Sequence, residues 1–284
     1  MTTEAVVALD GGDVAIIEGG RGGRPLLLVH GFTGAKEDFG DWIAALAAEG
    51  WWVVAPDLRG HGASHQPPDE ASYSLATFAA DLWDLADHLR WDRFALLGHS
   101  MGGMVAQEML IADPGRVERL ILMDTNHGPA QGLDEPTVAF GVEVLRTEGL
   151  PALLDLIESL PSPPRNPAEE RIRASRPGYV AWSEAKVRAV SPAMYAALAI
   201  ELTSRPDRLA ELAKLTVPTR VIVGAEDCNF LAASRRLAEA MPGADLVVIA
   251  DAAHSPQFEN PDAWWQAVAP WLAAKAATAE VMAD

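Results

Sequence analysis

The chain has 284 residues, of which 49% are hydrophobic and 22% are charged, a composition typical of one large globular domain or of a domain with an insertion. The net charge of −18 argues against nucleic acids and anionic membrane surfaces as partners. The single cysteine excludes an internal disulfide, and neither a signal-peptide pattern nor an apolar run of membrane-spanning length is evident. We therefore expect a cytoplasmic protein, and the sequence leaves its oligomeric state open.

Apolar runs and helical spacings alternate through the first 123 residues. They predict a β-hairpin, four further strands and three helices, which are in chain order the hairpin 5–9 with 14–18, strand 25–30, helix 37–49, strand 51–55, helix 75–90, strand 94–98, helix 101–113 and strand 117–123. Strands that alternate with helices imply right-handed crossovers and a mostly parallel sheet.

The pattern changes over residues 127–206. No clear strand is present there, prolines cluster between positions 161 and 167, and leucine and alanine recur at helical spacing. The segment is long and rich in core residues, which predicts a helical insertion rather than a linker. Strands and helices then alternate again, with strand 219–224, helix 231–241, strand 246–250 and helix 261–274. We therefore expect a core domain formed by 1–126 and 207–284, interrupted by the insertion.

A G-x-S-x-G motif, Gly98 to Gly102, lies between a predicted buried strand and a predicted helix. A serine at this place must sit on a very tight turn, and glycines permit the strained backbone and the close approach of strand and helix. The turn would hold the Ser100 hydroxyl at the carboxyl end of the sheet, beside a helix amino end that favours negative charge. Ser100 is therefore the candidate nucleophile.

A serine nucleophile needs a base, and in this arrangement the acid and then the histidine follow it along the chain. Only two histidines follow Ser100, and they are His127 and His254. His254 comes after the last predicted strand, so its loop opens at the same edge of the sheet as Ser100. His127 is at the entrance of the insertion and could at most line the site. We therefore expect His254 to be the base.

Three carboxylates compete for the role of the acid that orients the histidine. Asp227 follows the strand 219–224 and is the preferred candidate, while its neighbour Glu226 could substitute for it. Asp124, at the end of an earlier strand, is the second alternative, because some proteins with this topology take the acid from that position. A carboxylate in this role fixes the histidine tautomer and stabilises the imidazolium.

Stabilisation of an oxyanion needs two further donors. The segment His30-Gly31-Phe32 follows a predicted buried strand, and its glycine lets the backbone approach a substrate. The backbone N–H groups of Phe32 and Met101 would form the oxyanion hole. We expect His30 itself to be structural.

Five segments, taken together, resemble the α/β-hydrolase superfamily in order and spacing, and they are 30–32, 57–64, 98–103, 224–227 and 254–256. The resemblance covers nearly the whole chain and implies a mostly parallel eight-stranded sheet flanked by helices, with a helical cap inserted after the sixth strand. It also implies that the loop 57–64 is mainly structural, tying a strand end to the wall of the site.

Residues at single positions distinguish between the reactions that members of that superfamily catalyse. Dehalogenases and epoxide hydrolases of similar design have aspartate where this chain has Ser100. The carbon–carbon bond hydrolases of ring-cleavage products typically have asparagine before the serine and tryptophan after the catalytic histidine, whereas this chain has His99 and Ser255. The perhydrolase branch has tryptophan where this chain has Phe32. Enol-lactonases are similar in design and remain an alternative.

We therefore predict a carboxylic-ester hydrolase that acts on a small molecule through an acyl-enzyme, with the carbon–carbon hydrolase and the enol-lactonase as alternatives. No cluster of His, Cys, Asp or Glu has the spacing of metal ligands, so no metal and no organic cofactor is implied. A non-catalytic ligand-binding role is a third possibility, because fold alone does not fix function. Candidate pocket residues, which could equally pack the cap onto itself, are Phe140, Trp182, Met194, Tyr195 and Leu198.

Overall fold

The computed structural model describes residues 1–132, 134–160 and 166–274. Most of the proline cluster, and the final ten residues of the predicted core segment 207–284, lie outside the described residues. The strands are β1 Thr2–Leu9, β2 Gly12–Gly19, β3 Arg24–Val29, β4 Trp51–Pro56, β5 Phe94–His99, β6 Val117–Met123, β7 Thr219–Gly224 and β8 Asp245–Ile249.

These strands form one sheet in the order β1-β2-β4-β3-β5-β6-β7-β8. The pairs β1–β2 and β2–β4 are antiparallel, and every later pair in that order is parallel. The mostly parallel eight-stranded sheet confirms the predicted fold class. Because the parallel strands all end at one edge, the loops after β3, β5, β7 and β8 open toward the same region.

The helices are α1 Gly40–Ala48, α2 Leu75–His88, α3 Met101–Ala112, α4 Glu135–Glu148, α5 Leu150–Ser159, α6 Pro167–Ser175, α7 Tyr179–Arg188, α8 Pro192–Ser204, α9 Leu209–Leu212, α10 Leu231–Ala240, α11 Pro256–Glu259 and α12 Pro261–Ala273. The single helix predicted over 37–49 is divided into a 3₁₀ turn, Lys36–Phe39, and α1. The short helix α11 follows the predicted base and was not expected from the sequence. None of the described helices is both long enough and apolar enough to cross a membrane.

Apolar side chains pack on both faces of the sheet. One face is covered by residues of α2, α3, α10 and the inserted helices. The other face is covered by α1 and α12, where Trp264 is fully buried and its indole N–H donates to the sulfur of Met123 at 3.1 Å. All six residues of β5 are buried, so the strand that leads into Ser100 is held rigidly from both sides.

Helices α4 to α8 lie between β6 and β7 in the chain, within the segment 127–206. Helix α4 packs against α5 and α8, and ion pairs join the inserted helices to the rest of the chain. Arg146 of α4 bonds to Glu70, and Lys186 of α7 pairs with Asp38 in the turn before α1. The inserted helices therefore form one wall of the space above the sheet edge.

Candidate active site

Ser100 occupies the turn between β5 and α3 with a φ of +54°. This left-handed backbone is unfavourable for a residue with a side chain and is typical of strained functional turns. A Cβ at Gly98 would approach the Gly102 carbonyl oxygen to 2.4 Å, and one at Gly102 would approach the Val29 carbonyl oxygen to 2.3 Å. Both glycines are therefore required by the close approach of backbone segments, which fixes the serine at the sheet edge.

Hydrogen bonds connect Ser100, His254 and Asp227 in a chain. The Ser100 Oγ lies 2.9 Å from His254 Nε2, and His254 Nδ1 lies 2.7 Å from Asp227 Oδ2. The imidazole ring packs against Phe230, with ring centroids 4.7 Å apart. When Nδ1–H donates to the carboxylate, the Nε2 lone pair faces the serine hydroxyl, as a general base requires.

The two alternative acids have other partners. Glu226 accepts a hydrogen bond from the Ala168 backbone N–H at 3.0 Å, so it faces the inserted helices. Asp124 is completely buried, has a φ of +45°, and accepts from the Gly224 N–H at 2.9 Å. One oxygen each of Asp124 and Asp227 and a ring nitrogen of His254 lie within 4.8 Å of one another. Burial and the neighbouring Asp227 raise the pKa of Asp124 well above its usual range.

The predicted oxyanion donors lie on either side of the serine. Met101 begins α3 directly after Ser100, and a Cβ at Gly31, next to Phe32, would be 3.1 Å from the Ser100 Cβ. Within the described part of the chain, neither the Phe32 N–H nor the Met101 N–H has a hydrogen-bond partner. Two backbone N–H groups beside a serine hydroxyl can donate hydrogen bonds that stabilise the negative charge developing on a carbonyl oxygen.

Buried histidines hold the loop that carries Phe32. His30 bonds to the Gly31 carbonyl oxygen at 2.8 Å through Nδ1 and accepts from the Leu58 N–H at 3.0 Å through Nε2, which satisfies both nitrogens of a neutral ring. His61 Nε2 lies 2.7 Å from the Phe32 carbonyl oxygen. Burial lowers the pKa of both His30 and His61 to about 4.

Of two further histidines, His99 contacts the loop of His254 and His127 bonds to residues elsewhere. His99 Nε2 lies 2.6 Å from the His254 carbonyl oxygen and so positions the loop that carries His254. Burial lowers the pKa of His99 well below its usual range. His127 instead bonds to Asp207 at 2.8 Å and accepts from Arg236 at 3.1 Å, so it belongs to a polar cluster at the start of the insertion.

A cavity of about 1000 Å³ opens above Ser100 and His254. Aliphatic residues of α4 and α5, including Val142, Leu153 and Ile157, form much of its wall. Such a concave and mainly apolar site with a few polar groups is typical of small-molecule binding.

Two of the five predicted pocket residues line the cavity and three do not. Phe140 and Tyr195 line the cavity, and the Tyr195 ring lies 4.7 Å from that of Phe32. Met194 and Leu198 are fully buried in the apolar core, so they are packing residues. Trp182 packs against Tyr179, Phe258 and Lys186 behind the cavity wall. The helical spacing of these residues did not reveal which side of each helix faces the cavity.

Several residues of the cavity wall were not predicted from the sequence. Asp38, Phe230 and Phe258 come from segments to which no site role was assigned. Tyr179, Ser183 and Lys186 also line the cavity; Ser183 and Lys186 follow Tyr179 by four and seven positions, so all three share one face of α7. That spacing could have predicted a shared polar face, although the sequence did not show that this face of α7 points to the site.

Residues 24–261 match a family model described as the alpha/beta hydrolase fold. The chain belongs to the α/β hydrolase family. A serine hydrolase-like protein of Danio rerio is 38% identical to this α/β hydrolase over 103 residues, which are 36% of this chain and 31% of that protein. The chain spans between 31% and 50% of the length of the serine hydrolase-like relatives that it matches.

Two solved structures resemble this α/β hydrolase over nearly its whole length. An enol-lactonase from Burkholderia xenovorans LB400 is 25% identical with a TM-score of 0.81, and the match covers 95% of this chain and all of that chain. A thermophilic esterase from Thermogutta terrifontis is 28% identical with a TM-score of 0.78, and the match covers 95% of this chain and 98% of that one.

Proposed function

We propose that this protein is a serine hydrolase that cleaves carboxylic esters of small molecules through an acyl-enzyme. The observation that supports this best is the hydrogen-bonded chain of Ser100, His254 and Asp227 beneath an apolar cavity. In this proposal the segment 127–206 acts as a cap over the site, and the reaction uses neither a metal nor an organic cofactor.

The geometry accounts for each step of ester cleavage. His254 Nε2 takes the proton of the Ser100 hydroxyl as Oγ attacks the ester carbonyl carbon, and Asp227 stabilises the resulting imidazolium. The N–H groups of Phe32 and Met101 donate to the oxyanion of the tetrahedral intermediate. The intermediate collapses when His254 protonates the leaving alcohol. Water, activated by the same imidazole, then releases the acid and frees the serine.

The comparisons support the class of bond as well as the fold. The structural relatives include an esterase and an enol-lactonase. A lactone is a cyclic ester, so its hydrolysis uses the same nucleophile, base and oxyanion donors. We therefore regard lactones as candidate substrates of the same site.

Removal of the nucleophile tests the proposal directly. We expect Ser100→Ala to abolish hydrolysis of p-nitrophenyl esters while its thermal unfolding stays similar to wild type, because the hydroxyl contributes chemistry rather than packing. A serine-directed phosphonate should add one covalent mass to the wild type and none to this variant. Ser204→Ala, which removes an exposed serine on α8, is the matched control and should label fully. Labelling of Ser100→Ala, or its full activity, would contradict the assignment.

A second measurement separates ester from carbon–carbon bond hydrolysis. One methylene in an apolar pocket changes the free energy of binding by only about 1–3 kcal/mol, so we expect broad activity on p-nitrophenyl esters of short to medium acyl chains. The alternative predicts slow turnover of such esters and rapid consumption of a vinylogous 1,5-diketone formed by ring cleavage. The values of kcat/KM for the two substrate types decide between them. A clear preference for the diketone would replace the ester assignment and leave the roles of the triad unchanged.

A further inference from the structure

One ion pair faces the otherwise mainly apolar cavity. Lys186 of α7 and Asp38 of the turn before α1 both line the space above Ser100 and are paired with each other. Their side chains are only 14% and 6% exposed. Among the described lining residues, Lys186 is the only lysine or arginine and Asp38 the only carboxylate. A buried ion pair contributes little to the stability of a fold, because desolvation of both charges offsets their attraction. The position of this pair in the cavity wall therefore suggests a role in binding.

The contacts of Lys186 leave part of its donor capacity free. An ammonium group has three N–H donors. One is directed to Asp38, and the group lies 3.9 Å from the centre of the Trp182 ring, whose face attracts a cation. The described residues provide no further acceptor, so a donor remains for an oxygen atom of a ligand. The positive charge also reaches the catalytic region, since it contributes to the lowered pKa of His99.

The cavity therefore has one polar side and one apolar side. Tyr179, Ser183 and Lys186 give it a polar strip along one face of α7. The aliphatic side chains of α4 and α5 give it an apolar side. A ligand that satisfies both sides has an apolar chain and a polar end.

We infer that the substrate is an ester that also carries a carboxylate, bound by Lys186 while its hydrocarbon chain lies against α4 and α5. This inference rests on the proposed ester hydrolysis. A carboxylate is favoured over a neutral oxygen because charge-assisted hydrogen bonds are roughly twice as strong as neutral ones, and more so where water is excluded. Asp38 does not forbid a second anion, since its bond with Lys186 uses only one of the three ammonium N–H donors.

Matched substrates test the inference. The monomethyl esters of succinic, glutaric, adipic and suberic acids each have a counterpart in which a methyl group replaces the free carboxylate, and another in which a primary amide replaces it. At the best chain length, we expect kcat/KM for the carboxylate to exceed that of the methyl-terminated ester by about tenfold or more, as for a hydrogen bond to a charged group. Equal rates for the carboxylate and both counterparts would overturn the inference, and an amide as good as the carboxylate would overturn the anionic assignment.

Two variants should move this preference in opposite directions. Lys186→Met removes the cation, so the ratio of kcat/KM for carboxylate over methyl terminus should fall toward unity or below it. Asp38→Asn leaves the ammonium uncompensated, so the same ratio should rise. Lys214→Met, an exposed lysine outside the cavity wall, should leave it unchanged. If the ion pair only held α7 in place, both cavity variants would instead lower kcat/KM for all substrates by the same factor. That result would overturn the proposal.

A binding measurement separates this inference from the ester proposal. We expect calorimetry to show that the Ser100→Ala variant binds monomethyl adipate with a lower Kd than methyl hexanoate. Adding Lys186→Met to this variant should remove the difference in Kd. Binding with this selectivity but no turnover by the wild type would support the carboxylate site and contradict ester hydrolysis. Turnover of both ester series without selectivity, in kinetics and in binding, would contradict the carboxylate site and leave ester hydrolysis intact.

Discussion

At Asp227, two buried carboxyl groups meet beside one imidazole. Asp227 bonds to His254 at 2.7 Å, and one oxygen of Asp124 lies within 4.8 Å of both. Burial and the proximity of Asp227 raise the pKa of Asp124, so Asp124 keeps its proton to a higher pH than an ordinary carboxyl group. A protonated Asp124 adds no second negative charge to the triad. Of these two carboxyl groups, Asp227 is the one that is hydrogen-bonded to His254.

This difference predicts unequal effects of replacing each carboxyl group by an amide. We expect Asp227→Asn to lower kcat by several orders of magnitude, because an amide favours the wrong imidazole tautomer, and the serine-protease precedent is roughly ten-thousand-fold. Asp124→Asn should cause a much smaller loss, since the carboxylate bonded to His254 is that of Asp227 and the raised pKa of Asp124 favours an uncharged form that an amide resembles. Steady-state kinetics on both variants with one p-nitrophenyl ester measures the difference. If Asp124→Asn were the more damaging change, the acid would belong to the loop after β6.

At the scale of elements, the loop after β4 supports the loop after β3. His61 belongs to the segment 57–64 and bonds to the carbonyl oxygen of Phe32 at 2.7 Å. That bond fixes the position of the residue whose N–H is the proposed oxyanion donor. A loop with no atom at the reacting centre can therefore influence the transition state through backbone orientation.

Removal of this support should lower kcat more than it changes KM. We expect His61→Ala to reduce kcat by about tenfold, less than the loss of an oxyanion donor, because the Phe32 amide is displaced rather than removed. His61→Gln, which can still donate to the same carbonyl, should recover much of the rate. His65→Ala, an exposed histidine in the next turn, serves as the control. A fall in melting temperature with unchanged kcat would show that the loop contributes to folding alone.

Local signals made most of this architecture predictable from the sequence. Strand 25–30 is a continuous apolar run and Ser100 stands between glycines, so short-range patterns were enough to place both. The rotation of the inserted helices has no such signal, because Met194 and Tyr195 are both apolar in pattern, yet only Tyr195 lines the cavity. The pairing of Lys186 with Asp38 joins positions 148 apart, and no local rule predicts such a contact.

At the scale of the whole molecule, buried histidines and carboxyl groups have opposite effects on how stability changes with pH. His30 and His61 are fully buried with a pKa of about 4, below the unfolded value of 6.5, and burial lowers the pKa of His99 as well. As pH falls from 6.5 toward 4, the unfolded state takes up more protons at these sites, so they destabilise the fold. Carboxyl groups whose pKa is raised by desolvation have the opposite effect over acidic pH, and they include the buried Asp38 and Asp124 and the half-buried Glu201 and Glu259.

Because these contributions oppose each other, the pH dependence of a single histidine is best measured by difference. We expect the free energy of unfolding of the wild type to fall more steeply than that of His61→Gln between pH 6.5 and pH 4, by up to about 3 kcal/mol in total. Above about pH 7.5 the two curves should run parallel, since His61 is then essentially neutral in both states. Urea unfolding at a series of pH values measures both slopes, and His65→Gln should follow the wild type. Parallel curves over the whole range would mean that His61 binds its proton equally well in the folded and unfolded chain, contrary to its burial between Phe32 and Arg59.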